Sequence, residues 1–320
     1  MYILTADSGS TKTTWLLTHT THSCDQEPAP HTSVGESASR PDVGESAIPS
    51  QTTLLTTQGI NPFHMPVSTM HHIIKEELIS QEVFPSPTVI SEVHFFGAGC
   101  TQEKSPLLHD LLKSLFPAAT MIEVGSDMLG AAKALFGDEP GIACILGTGS
   151  NSCLYDGQRI ISNISPMGYI LGDEGSGSVL GKTFLNALYK GAHQDFIPVF
   201  EAETGLTLPA IIDKVYRQPL PNRFLASLGP FIKSYITQPW ISEMVIRNFR
   251  LFFQNNVKHY LNTVPASNTP FPIPVNAPTP ISFVGSIAYH FQDQLRQAAA
   301  AEGLTISKIK KEPLDYWESH

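Results

Sequence analysis

Two glycine turns constrain this chain more than any other feature, because each is entered by an apolar strand and left by a second strand. Tyr2-Ile3-Leu4-Thr5-Ala6 runs into Asp7-Ser8-Gly9-Ser10-Thr11-Lys12-Thr13, and the apolar run from Ile142 to Leu146 enters Gly147-Thr148-Gly149-Ser150-Asn151. A turn of this kind exposes backbone N–H groups. In the first, the Thr11 and Thr13 hydroxyls and the Lys12 cation add groups suited to phosphate oxygens. Asp7, a hard oxygen donor at the strand end, suits hydrated Mg²⁺. The first turn is not a P-loop, since Thr13 leads into Thr14 and Trp15 of another strand and not into a helix. Alone, each turn reads equally well as an ordinary hairpin; as a pair they predict two related domains facing each other across a cleft.

Two further glycine turns follow strands. Gly172-Asp173-Glu174-Gly175-Ser176-Gly177 opens a helix through Leu180, Phe184 and Leu188, where paired acids also suit the helix dipole. Val284-Gly285-Ser286 joins a strand to a helix and lets the backbone approach a planar ligand closely. Asp127 follows Val124-Gly125-Ser126 at a strand end and starts the Leu129–Leu135 helix. An Asp there is an ordinary N-cap; facing a γ-phosphate, it is also placed to take a proton from a hydroxyl.

The 320 residues suffice for one large or two medium domains, and 42% hydrophobic content suits a folded enzyme-sized protein. Twenty Lys and Arg against 29 Asp and Glu give a net charge of −9, which disfavours nucleic acid as a partner. Four cysteines without a CxxC pair exclude a disulfide framework or Cys-rich zinc module. No run of 18 apolar residues and no leader-like start are present, so the expectation is a cytoplasmic protein with no membrane partner. His19, His22, His71 and His72 have no supporting ligand at metal spacing and read as surface residues.

Strands are expected at Ile3–Ala6, Val93–Gly97, Ile142–Gly147 and Ile281–Val284, with helical spacing at Met70, Ile73, Ile74 and Leu78, at Leu129 to Leu135, and at Ile287, Phe291 and Leu295. Asp156-Gly157 reads as a two-residue hairpin turn. Strand–helix alternation mixed with hairpins points to an α/β protein with mixed sheets. His22 to Ser50 has no aromatic and repeats Val34-Gly35-Glu36-Ser37 as Val43-Gly44-Glu45-Ser46, the pattern of a disordered insertion. Pro265 to Pro280 reads as an extended connector. Phe252, Phe253, Val257, Tyr260 and Leu261 read as core or subunit packing, the latter implying a homodimer.

These four turns, with Asp127 between the first two, resemble the actin, hexokinase and Hsp70 ATPase superfamily, and within it the BadF/BadG/BcrA/BcrD-type ATPases close to N-acetylglucosamine kinase. The resemblance implies two RNase-H-like α/β domains flanking a cleft for ATP and Mg²⁺. The first would span about residues 1–115 with a helix near 313–318 folded back on it, and the second about 116–312 with a helical insertion. It implies that Asp7 organises the metal and that Gly9, Ser10, Thr11, Lys12 and Thr13 form the first phosphate hairpin. Gly147, Thr148 and Gly149 would form the second hairpin, and Gly285 with Ser286 the adenosine turn. Asp127 matches the catalytic base; Asn61, Gly97, Ala98, Gly99, Thr148 and Asp173 match the side that binds a small sugar. Departures are Ser8 and Ser10 where glycine is common, Met167 where Trp is found, and Cys100 where a turn often ends in Asp.

The implied activity is ATP-dependent phosphorylation of N-acetylglucosamine or a related amino sugar. One alternative is an activator of the 2-hydroxyacyl-CoA dehydratase kind, which needs cysteines for a shared iron–sulfur cluster. Cys144 sits in a strand expected to be buried, and no Cys opens a helix in a glycine turn. The other alternative is a non-catalytic sensor of ATP or sugar that signals by closing.

Overall fold

The structure is a computed structural model, and it describes residues 1–9, 12–19, 51–262 and 279–313. The expected insertion at 22–50, nearly all of the proline-rich connector, Ser10, Thr11 and all but the first residue of the expected helix at 313–318 lie outside the described residues. The chain divides into two compact units, Met1–Gly125 and Ser126–His320.

In the first unit, β1 (Tyr2–Ser8), β2 (Lys12–His19) and β3 (Gln51–Gln58) form an antiparallel meander. Strand β4 (Ile90–Gly97) adds parallel to β1, and β5 (Met121–Ser126) forms the edge, giving the order β3-β2-β1-β4-β5. The sheet extends beyond residue 115, where a boundary was expected, because β5 hydrogen-bonds in this sheet. Leu4, Ala6, Trp15, Leu17, Val93 and Phe95 alternate along their strands and share one core, as period-two side chains on one face must. Helix α1 (Val67–His72), continued by a π-helical stretch Ile73–Ile79, covers that core with Met70, Ile73, Ile74 and Leu78. Helix α2 (Ser105–Leu115) adds Leu108, Leu111 and Leu112.

The second unit opens with α3 (Asp127–Phe136) and then repeats the strand plan. Strands β6 (Gly141–Leu146), β7 (Ser150–Tyr155) and β8 (Ile160–Ile164) form the meander; β9 (Ile281–Val284) and β10 (Ile306–Lys310) add parallel, giving β10-β9-β6-β7-β8. Both faces are covered. Ile142, Cys144 and Leu146 enter the large core, whereas Ala143, Cys153 and Tyr155 meet Met128, Ala131 and Leu135 of α3 on the other side. Cys144 and Cys153 are fully buried, and burial pushes the Cys153 thiol up to about 12 and Cys144 well above its ordinary value.

A short α4 (Gly168–Leu171) precedes α5 (Gly177–Lys190). Then come α6 (Ile197–Thr204), α7 (Leu208–Tyr216), α8 (Pro221–Ala226), α9 (Gly229–Ser234), α10 (Pro239–Phe252) and α11 (Lys258–Asn262). Phe252, Phe253, Val257 and Tyr260 belong to the large core of this unit. Helices α12 (Ser286–His290) and α13 (Gln292–Ala301) break at Phe291, whose φ of −109° and ψ of 27° interrupt the continuous helix that the spacing predicts. The β7–β8 connection is four residues, not two. Asp156 Oδ1 accepts the N–H groups of Gln158 (2.9 Å) and Arg159 (2.8 Å), so its side chain closes a longer loop.

Packing between α5 and α8 depends on Gly181, since a Cβ there would lie 2.0 Å from the Leu225 carbonyl oxygen. Gly181→Ala is expected to force the two helices apart and to destabilise the protein by about 1–3 kcal/mol in urea unfolding, the usual scale for overpacking.

Candidate functional site

The first unit gathers its candidate residues at the C-terminal ends of the parallel strands β1 and β4, the edge at which α/β sheets present ligands. Asp7 is half-exposed at the end of β1, in register with Thr14. The Gly9 N–H donates to Lys12 O at 3.0 Å and closes the turn, leaving Gly9 and Lys12 exposed. Thr13 behaves differently from an exposed phosphate ligand. It is fully buried, and its Oγ1 accepts from Ile60 N at 3.1 Å and lies 2.6 Å from Ser8 Oγ.

Asn61 follows directly. Its Oδ1 accepts the Phe63 N–H at 3.0 Å, which folds the segment back on itself. Gly99 packs against the same side chain, with φ of +81° and a virtual Cβ only 1.9 Å from Asn61 Oδ1, so a side chain there would strain the backbone and push Asn61 aside. Ala98 N–H donates to Ser8 O at 3.0 Å, and a Cβ on Gly97 would fall 2.9 Å from Ser8 Cβ. Asp7, the Gly9 turn, Asn61 and Gly97–Gly99 are therefore built into one edge of the sheet.

In the second unit the Gly147–Gly149 turn is held by main-chain bonds. Gly147 N–H donates to Gly149 O at 2.9 Å, while Gly177 and Ser178 at the start of α5 donate to Gly147 O (2.8 Å) and Thr148 O (3.1 Å). Gly285 has φ of +119°, and a Cβ there would lie 2.4 Å from Leu146 O; only glycine lets β9 meet β6 this closely. Gly147, Thr148 and Ser286 line one cavity of about 710 Å³ with Arg223, Lys233 and Phe291. Arg223 and Lys233 carry no sequence motif. They come from short helices, and only the tertiary arrangement brings them beside the glycine turns.

Asp173 sits at the mouth of the α5 turn in a left-handed conformation, φ +56°. Its carboxylate accepts the N–H groups of Gly168 and Ser150, and its Oδ2 would lie 3.0 Å from a Cβ on Gly149. Burial raises its pKa to about 6; the two N–H groups pull the other way, and Glu174 adds to the rise. Asp127 is the first residue of α3, but the cap is Ser126, whose Oγ accepts Leu129 N–H at 3.2 Å. That frees Asp127 from the N-cap role expected of it. Its Oδ1 accepts Met128 N–H at 2.8 Å, and burial raises its pKa above the ordinary carboxylate value.

The folded Asp173 carboxyl keeps its proton to about pH 6, above an unfolded Asp, so the stability it lends is full below the unfolded pKa and is lost as pH rises through about 6. Asp173→Asn, whose amide mimics the protonated group and tolerates the left-handed backbone, is expected to melt above the parent protein at about pH 8. The gap should narrow as pH falls through about 6 and close only below the unfolded Asp value of about 3.9, and melting curves at about pH 8 and about pH 3.5 check it.

No protein-family model and no curated protein matches the chain. Among solved structures, the putative N-acetylglucosamine kinase from Porphyromonas gingivalis is 38% identical, with a TM-score of 0.78 over 99% of this chain and 97% of that one. The putative N-acetylglucosamine kinase from Chromobacterium violaceum, 17% identical, has a TM-score of 0.63 over 99% and 97% of the two chains, a likeness of fold. Identity of 38% over nearly the whole length goes beyond shared architecture: the chain belongs to the same sugar-kinase family as the Porphyromonas gingivalis protein.

Proposed function

We propose that this protein transfers the γ-phosphoryl group of ATP to a hydroxyl of N-acetylglucosamine or a closely related amino sugar, as a member of the BadF/BadG/BcrA/BcrD branch. The observation that carries the reading is the cavity of the second unit, where turns distant in sequence, at Gly147–Thr148 and Ser286, line one space with two cationic side chains. Exposed main-chain N–H groups and cations suit a nucleoside triphosphate, and the side-chain-free approach at Gly285 suits a flat base. Asp7, an oxygen donor at the strand end beside the Gly9 turn, fits Mg²⁺ held largely through water and phosphate. Bound Mg²⁺ would neutralise charge on the transferring phosphoryl oxygens.

The chain's own residues then have separable tasks. Gly9, Lys12, Gly147, Thr148 and Gly149 hold phosphate through N–H groups and charge, with Ser10 and Thr11 assigned to the same turn. Asn61, Gly97, Ala98, Gly99, Thr148 and Asp173 orient the sugar. Asp127 accepts the proton of the attacking hydroxyl. A carboxylate with a raised pKa is the better proton acceptor near neutral pH, and burial raises that of Asp127. Asp173, bound to Ser150 and Gly168, also holds the second turn in shape. The two buried strand cysteines argue for a kinase over an iron–sulfur activator, since neither thiol is presented for ligation.

Purified protein with Mg²⁺-ATP should be tested on N-acetylglucosamine, N-acetylmuramic acid, N-acetylmannosamine, glucosamine and glucose, with the sugar phosphate read by mass. One acetylated sugar is expected to be phosphorylated, and Asp127→Asn should lower kcat by about 10²–10⁴-fold, the range for losing a general base. Slow ATP hydrolysis indifferent to every sugar would overturn the reading.

A further inference from the structure

We infer that Ser8 is a positioning residue: its buried hydroxyl ties the segment bearing Asn61 to the Asp7–Thr13 turn, so that the acceptor side and the phosphate side of the first unit are held in register. The inference rests on the proposed role of Asn61 in holding the sugar. Ser8 stands where glycine is common in related turns, so nothing in the turn's backbone geometry demands a hydroxyl there.

Ser8 is 1% exposed, and a hydroxyl taken out of water at such a place must find partners. It finds three. Ser8 Oγ donates to Ile60 O at 2.8 Å, accepts Ile60 N–H at 3.0 Å, and lies 2.6 Å from Thr13 Oγ1. Both main-chain polar groups of Ile60, the residue just before Asn61, are thus held by one side chain 52 positions earlier. The same residue's carbonyl oxygen accepts Ala98 N–H, which anchors the turn whose Gly99 packs on Asn61. Asn61 is therefore fixed from two sides, through Ile60 and through Gly99, and both routes pass through Ser8.

Removal of the hydroxyl has a local result. Thr13 Oγ1 still accepts Ile60 N–H at 3.1 Å and the main-chain pairing of β1 with β2 is untouched, but Ile60 O loses its donor and the Asn61 segment gains freedom. Glycine or alanine at this position keeps the Ala98 bond, which uses the main chain alone. The loss should therefore appear in acceptor binding and not in nucleotide binding.

The test is a double-mutant cycle on the full chain, with Ser8→Ala, Asn61→Ala and the pair, reading KM for N-acetylglucosamine, KM for ATP, kcat and melting temperature. Ser8→Gly serves as a second deletion of the hydroxyl, so that a folding failure of one variant does not end the experiment. Ser8→Ala is expected to raise the sugar KM about five- to tenfold, the worth of one buried hydrogen bond, with the ATP KM within about twofold. In the Asn61→Ala background the same change should move the sugar KM by less than about twofold, because a residue acting through Asn61 has nothing left to position. Equal effects in both backgrounds, or a parallel rise in the ATP KM, would mark a merely structural serine and overturn the inference. If Asn61→Ala raises the sugar KM and neither Ser8 variant does, the acceptor role stands and this inference alone falls. If Asn61→Ala leaves the sugar KM unmoved, the acceptor role fails and takes the inference with it.

Discussion

Close main-chain approach at the strand ends is the constraint on which the second unit's site depends. Gly285 approaches Leu146 O and Gly147 N so closely that a Cβ on residue 285 has no room, and the first N–H groups of α5 close on the carbonyls of Gly147 and Thr148. Without glycine at 285 the carbonyl of Leu146 would meet a side-chain carbon at 2.4 Å, and β9 would have to leave β6. The cavity then loses its lining, since Ser286 and Ile287 enter it directly after that glycine. Backbone that carries no side chain is what lets several N–H groups converge on one anion.

The first unit reaches a comparable arrangement by other means. Its sheet follows the same plan, three antiparallel strands followed by two more on the far side of the first, in the order 3-2-1-4-5 of its own strands. Its strand ends are fastened by a buried hydroxyl pair, Ser8 and Thr13, and not by main-chain contacts alone. Two copies of one topology thus carry different fastenings: side-chain hydroxyls beside Asn61, glycine contacts beside the cavity.

Charge follows function in the same local way. The chain carries a net −9, yet the cavity beside the second glycine turn is lined by Arg223 and Lys233, with no carboxylate side chain among the described residues that line it. Desolvation raises the pKa of two acids of this unit, the partly exposed Asp127 at the head of α3 and the buried Asp173, bent back in a left-handed conformation over Ser150. Long-range repulsion of a polyanion and local attraction of a nucleotide are compatible, because screening confines each to its own distance.

The amino-acid sequence determined the sheet-forming runs, the four glycine turns and the position of Asp127, because strand alternation and the need for side-chain-free backbone are written locally. Strands β3 and β10 were not legible. Gln51–Gln58 is a run of Gln, Thr and Leu beside a low-complexity stretch, and Ile306–Lys310 is a short edge strand; each becomes a strand by pairing with β2 or β9. The single continuous helix read through Phe291 and the two-residue turn at Asp156 failed because a periodic pattern cannot report a break or a side-chain cap. Only the tertiary structure decided that Thr13 faces inward to Ile60, that Ser126 relieves Asp127 of capping, and that Arg223 and Lys233 stand beside a turn far from them in the chain. These are consequences of packing between segments distant in sequence, and no local pattern encodes which distant group a buried hydroxyl or a cation will meet.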